Sequence, residues 1–413
     1  MDRVGVSSED ATLDDTTAVT SERARWGLLA GTILMSVALG AYELVPASVT
    51  PLIRESLGVS ASEAGLLVSV MFGTAVLASI PVGIVLDRTN SRYAVAVAVG
   101  LLLVAGVWGW QAATAGAYWS LVASRVLGGI AYVVVWNASI DIVGRSFDPA
   151  RQGTAVATFT ASGPVGFAIG QGTGPIVAEQ FGWPAIFPIF TGIACVGVII
   201  FWPMSRGSGH ATGTPAPTLS DLGRVVTNRR VWTVGLVGFL GYALYLFVNS
   251  WAPSYLTEDL HLSLGLSGAL VALFPAVGVL SRVAGGVLSD TLFGGRRRPI
   301  VLLSFLVATP VITGFTAIRT IPVVVAALLV TGFAIQLCLG LVFAYVRELV
   351  EPAVAATAVA FLTSVGLAGA FIAPIAAGRL IDASNYETAF LVAGILGALG
   401  AVLAWHAPEP GAT

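Results

Sequence analysis

Gly83-Ile84-Val85-Leu86-Asp87-Arg88-Thr89-Asn90-Ser91-Arg92 is a short polar hinge between two long apolar runs, and a version of it, Gly286-Val287-Leu288-Ser289-Asp290, returns 203 positions later. At the same offset Leu57 meets Leu260, Ser60 meets Ser263, Gly65 meets Gly268, Val76 meets Val279 and Leu77 meets Leu280. With Gly83 and Gly286, and Asp87 and Asp290, these are seven of the identities at one spacing between residues 57 and 87. Shared apolar bias alone does not produce such a register, so the chain is a doubled object.

The apolar runs either side of the hinge set the class. The 413 residues are 56% hydrophobic and only 10% charged, whereas a soluble domain carries roughly 25% charged residues. Most of this surface must therefore face lipid. A spanning helix needs about 20 mainly apolar residues, and the continuous runs do not alternate as barrel strands do. Twelve spans are expected, at 26–53, 63–86, 92–113, 118–144, 151–179, 184–204, 229–256, 264–289, 298–318, 321–346, 353–380 and 386–405. The expected fold is all-α integral membrane, with twelve transmembrane helices in two pseudo-symmetric six-helix bundles. The bundles occupy 26–204 and 229–405, joined by a polar linker at 205–228. An acidic tail, 1–25, precedes them, and a short tail, 406–413, follows.

Every basic residue is Arg. With the N-terminus placed inside, fifteen arginines fall on the cytoplasmic side, and only Arg54, Arg319 and Arg379 fall outside. That asymmetry puts both termini in the cytoplasm. The net charge of −2 gives no reason to expect a nucleic-acid partner. Cys195 and Cys338 sit in apolar runs of opposite halves, so no disulfide framework or metal site follows.

The hinge resembles the signature of the major facilitator superfamily, G-x-L-x-D-R-x-G-R-R, with Asn90 and Ser91 in place of the usual Gly and Arg. Leu121, Arg125 and Gly129 resemble the family's fourth-helix L-x-x-x-R-x-x-x-G. Gly166, Gly170, Gly174 and Pro175 resemble its G-x-x-x-G-P motif, echoed by Gly369, Ala373 and Pro374. The resemblance covers residues 26–405. It implies a monomeric secondary transporter of the cell membrane that needs no cofactor and works on a small solute by alternating access around a mid-membrane site. The sugar-efflux, drug-efflux and organic-anion branches are nearest in character.

An ionisable side chain inside the bilayer costs at least about 2.5–3.5 kcal/mol at mid-depth, so each demands a reason. Glu43 lies roughly 25 Å from the inner start of its helix, and Arg125 about 10 Å from the outer start of its own. Both therefore sit in the outer half at similar depth. Burial and a neighbouring guanidinium act on a carboxyl in opposite senses, which suits a group that gains and loses a proton as solvent access alternates. The functional reading is proton coupling at Glu43 with Arg125 tuning it; the bland reading is a static ion pair. Arg282 breaks the repeat, its counterpart being Ser79. It resembles the anion-binding arginine of nitrate, oxalate and organic-anion carriers, since a guanidinium presents a fixed fork to planar anions. Otherwise it snorkels inward or braces Asp290.

Asp87, Arg88 and Arg92, together with Asp290 and Arg296, read as a cytoplasmic latch that Asp141 and Arg145 could join. Topogenic charge explains part of that cluster. Gly166, Gly170 and Gly174 share one helix face and favour close packing, and Pro175 bends the helix. Trp136, Asn137, Tyr242, Tyr245, Asn249 and Gln336 are candidates for substrate binding. The leading expectation is proton-driven efflux of a sugar-like or amphipathic compound. The alternatives are a small-anion carrier using Arg282 and a non-transporting sensor that keeps the fold. An enzyme lacks support, because no paired acids, nucleophile–base pair, phosphate-binding loop or metal cluster occurs.

Overall fold

The computed structural model describes residues 21–86, 88–206 and 219–409. Those residues are all helix and loop, with no strand among them. The first half contains α1 (Glu22–Ser48), α2 (Thr50–Leu57), α3 (Ala61–Leu86), α4 (Ser91–Thr114), α5 (Tyr118–Ser146), α6 (Pro149–Thr160), α7 (Ser162–Phe181) and α8 (Ile186–Met204). After α9 (Leu219–Val226) the second half contains α10 (Arg229–Glu258), α11 (Leu264–Ala276), α12 (Gly278–Leu292), α13 (Arg298–Thr313), α14 (Ile321–Glu348), α15 (Ala355–Ala383) and α16 (Tyr386–Trp405).

Ten of these spans are long and apolar enough to cross a membrane, with α11 and α12 counted as one. The shorter apolar α13 and the divided α6–α7 complete the twelve. Helix is dictated by the setting, because lipid offers no partner to an exposed amide or carbonyl.

Several expected boundaries shift, each for a local reason. The fifth span divides at Ala161, where Pro164 has no N–H to offer the carbonyl of Thr160. There the Ser162 hydroxyl meets Ser36 Oγ at 2.7 Å and the Phe159 carbonyl. The eighth span divides at Val277, just after Pro275. The first span stops at Ser48, and a separate rim helix, α2, follows with Pro51 in its first turn. The ninth span ends at Thr313, before a 3-10 turn at Phe315–Ala317. The stretch expected as a polar linker holds α9, which packs on α15. Of the expected N-terminal tail, residues 1–20 lie outside the described residues, and α1 starts at Glu22.

Two buried apolar cores follow the two halves. The second core also takes in Leu44, Ala47, Ala61, Val68, Phe72 and Phe167 from the first half. The halves are therefore joined near the end that carries the α1–α2 and α15–α16 connections, here called the distal end. The end where α1 begins and α16 finishes is the proximal end. A side chain on Gly65 would collide with the backbone of Pro374, and one on Gly73 would stand 2.8 Å from Phe371. Beyond Gly73, Leu77, Ile80, Ile84 and Val85 of α3 stand exposed. The halves thus meet distally and part proximally.

Candidate functional site

Glu43 and Arg125 are both buried at the centre of the first half. The glycine face of α7 sets the position of α1, the helix that carries Glu43. A β-carbon on Gly166 would lie 2.5 Å from the Val37 carbonyl, one on Gly170 2.7 Å from the Ala41 carbonyl, and one on Gly174 2.5 Å from Val45. Only hydrogen fits there, so α7 lies directly on α1. Pro175 lies inside α7, and the divide in that span falls at Ala161 instead.

Arg125 is held by backbone. Its Nη1 donates to the Tyr42 carbonyl at 2.7 Å, its Nη2 to the Glu43 carbonyl at 2.6 Å and its Nε to the Leu67 carbonyl at 3.3 Å. The guanidinium also sits 4.6 Å from the centre of the Tyr42 ring. The cause is in the sequence. Pro46 lies inside α1 and offers no N–H to the carbonyl four residues earlier, that of Tyr42. Arg125 supplies the missing donor. The expected side-chain pair is thus a side-chain-to-backbone clamp. Both Glu43 carboxylate oxygens are buried without a hydrogen-bond partner among the described residues. Enclosing an ionised carboxylate in this way costs far more than enclosing a protonated one.

Arg282 lies on α12 and is half-buried. It forms no hydrogen bond or ion pair among the described residues, and its Nε is buried and unpartnered. It does not brace Asp290, whose carboxylate meets Arg297 at 2.7 Å. Instead it lies within electrostatic range of Tyr132, Tyr242 and Tyr245, and Glu43 lies within range of Tyr132 and Tyr245. The acid of one half and the unpaired arginine of the other are therefore near the same two tyrosines, one from each half.

The other candidates divide into wall and scaffold. Trp136 stacks on Tyr132 with ring centres 5.9 Å apart, an aromatic pair in which Tyr132 was not anticipated. Tyr242 packs against Gly366, and Asn137 is partly buried on α5. Tyr245 is stacked between Phe167 and Phe274, and its hydroxyl is buried and unpartnered. Gln336 is fully buried and donates to the Phe274 carbonyl at 3.0 Å, filling the space beside Gly278 at the divide between α11 and α12. Asn249 donates to the Tyr245 carbonyl at 2.8 Å.

At the proximal end, Asp87 lies outside the described residues. Arg88 is exposed. Arg92 donates to the Trp202 carbonyl at 3.0 Å and lies 4.0 Å over its ring. Asp141 pairs with Arg145 and accepts from Ser91 at 3.3 Å. In the second half the hub is Arg297 rather than Arg296. It bonds Glu348 at 2.9 Å as well as Asp290. These carboxylates, Glu348 first, hold the Arg297 guanidinium above the usual arginine pKa. All the bonds described here stay within one half. Glu348 ends α14 at the proximal end, where its acid next to the three-arginine loop was the available signal.

The first half's acid and arginine, the second half's unpaired arginine and the proximally parted bundles define a solute carrier. The Major Facilitator Superfamily model matches residues 28–365 and 292–413, and the chain belongs to that family. It is 26% identical over 389 residues to the "Probable L-galactonate transporter" of Escherichia coli K12, covering 85% of this chain and 82% of that one. It is 22% identical over 365 residues to the "Hexuronate transporter" of Bacillus subtilis, covering 83% and 85%. A bacterial homolog of the human lysosomal transporter Spinster, solved inward-facing and unoccupied, superposes with a TM-score of 0.80 at 16% identity, covering 94% of this chain and 97% of that one. The protein is a multi-pass membrane transporter of a small solute and not an enzyme.

Proposed function

We propose that the protein carries a small organic anion across the cell membrane by alternating access, coupled to protons at Glu43. The observation that carries this reading is Arg282, a half-buried guanidinium with no protein partner among the described residues. A cation left unpaired at membrane depth is costly unless something anionic completes it. A carboxylate does so with two parallel hydrogen bonds. The aromatic pair Tyr132–Trp136 offers a face to the rest of the solute. The relatives' printed substrates, L-galactonate and hexuronate, are carboxylates. This favours an anion over the neutral sugar-like cargo that Glu43 alone suggested.

Glu43 sits on a kinked helix whose carbonyls Arg125 holds. When the carboxyl loses its proton, Arg125 is the adjacent cation. The arginine asymmetry supports a cytoplasmic proximal end, and on that reading the present arrangement is inward-open. The Asp141–Arg145 and Asp290–Arg297–Glu348 clusters lie at that end, on opposite halves, as the surfaces that would meet when it closes.

Uptake into proteoliposomes with an imposed proton gradient tests the proposal, using L-galactonate and a hexuronate against a neutral sugar. The anions should accumulate and the neutral sugar should not. Losing charge-assisted bonds worth about 1.5–3 kcal/mol, Arg282→Ala should raise KM about tenfold or more. Equal transport of neutral sugar, or an unchanged KM in Arg282→Ala, would refute the anion reading.

A further inference from the structure

Gln171 is fully buried on α7, between Gly170 and Gly172. Its Nε2 donates to the Asn249 carbonyl on α10 of the other half at 2.6 Å. The acceptor is unusual for the same reason as Tyr42's. Pro253 lies inside α10, four residues after Asn249, so that carbonyl has no donor within its own helix. One turn back along α7, Phe167 stacks on Tyr245 with ring centres 6.0 Å apart, and Tyr245 stacks on Phe274 at 5.4 Å. Together these contacts form a buried layer that joins α7 to α10 and α11 across the two halves. Nearer the rim, Arg54 meets Glu258 at 3.0 Å, and the Asp382 carboxylate accepts from the Ala61 and Ser62 amides at 2.7 and 2.9 Å.

We infer that Gln171 is the locking residue of an inner distal gate, and that the carbonyl released by Pro253 is its keyhole. The bond joins two halves that must separate when the distal end opens. Opening then strands a carbonyl at membrane depth until water or cargo reaches it. The lock therefore favours the distally closed state, and its removal shifts the balance toward the distally open one. This needs only that the halves rock; it does not depend on which solute is carried.

The test needs no substrate. In the full-length protein in lipid nanodiscs, with Cys195→Ser and Cys338→Ala, spin labels go on Glu55→Cys and Asp259→Cys, which are exposed beside the distal ion pair. Distance distributions then report the closed-to-open ratio. Gln171→Leu keeps the volume and removes the donor, so the ratio should fall about fivefold, the equivalent of about 1 kcal/mol for one net hydrogen bond. Pro253→Ala restores an N–H to Asn249 within α10, so opening no longer strands the carbonyl, and the ratio should fall as well. The double variant should fall by less than the product of the two. A role confined to packing would lower thermal stability without moving the distances. Unchanged distances in Gln171→Leu, or independent effects of the two substitutions, would overturn the inference. Should Gln171→Leu not fold, Pro253→Ala decides alone, and an unchanged ratio there would overturn it equally.

Discussion

Arg125→Met isolates the consequence of the proline in α1. Arg125 donates to three carbonyls. Two of them, those of Glu43 and Leu67, keep α-helical donors at Ala47 and Met71 when the guanidinium goes. The Tyr42 carbonyl keeps none, because position 46 is Pro. A buried acceptor left unpaired costs about 1–3 kcal/mol. The single variant mixes that cost with the relief of removing a buried charge, so its stability alone is uninformative. Pro46→Ala separates the terms. With Arg125 present, the new N–H duplicates an existing donor and changes little. With Met at 125, it restores the only donor and recovers the cost. The predicted coupling in the four-member cycle is about 1–2 kcal/mol. Thermal unfolding in detergent reads this as about 1–2 °C of non-additivity, at roughly 1 °C per kcal/mol for a chain of 413 residues. Additivity within about 0.5 kcal/mol would show that the Tyr42 carbonyl is not what Arg125 satisfies.

Three further outcomes are expected. Glu43→Gln should leave downhill exchange intact, abolish accumulation driven by a proton gradient and flatten the pH profile; continued concentrative uptake in proteoliposomes would exclude Glu43 as the coupling site. Gly170→Val should force α7 away from the Ala41 carbonyl and destabilise the protein by about 1–3 kcal/mol, seen as a lower unfolding midpoint than Gly172→Val, whose site is 3.5 Å from its nearest neighbour. Asp382→Asn removes a charge from the N-terminus of α3, worth about 0.3–1 kcal/mol at an exposed site, so labels across the distal rim should show about a two- to fivefold larger open population; no change would confine Asp382 to a passive cap.

Hydropathy made the spans legible, because lipid imposes it whatever the helix does inside. For the same reason it concealed the divides at Ala161 and Val277: the apolar run continues straight through each break. The repeat at offset 203 exposed the doubling, and the charges at Glu43, Arg125 and Arg282 stood out against their surroundings. Their partners did not, since a sequence displays side chains and Arg125 is bound to main chain. Pro46 and Pro253 were the available clue, each naming a carbonyl four residues earlier that another element must satisfy. Gln171 was hidden among the glycines of a motif read for packing alone. Arg297 could not be told from Arg296 and Arg298 until the geometry set it against Glu348.

The placement of charge explains why a gate would be built on a released carbonyl. Parting a buried ion pair strands two charges where water cannot reach them, at several kcal/mol each. Parting a carboxamide from a carbonyl costs about 1 kcal/mol net, which thermal motion crosses readily. In this protein the neutral bond, Gln171 to Asn249, lies in the fully buried layer. The charged contacts between the halves, Arg54–Glu258 and Asp382 on α3, lie at the rim, where side chains are part-exposed and water replaces a lost partner. Arg125, buried throughout, makes all its described bonds within the first half and never has to part from them. A bundle meant to stay closed gains nothing from that ordering by depth, whereas one that opens every cycle keeps each separation within reach.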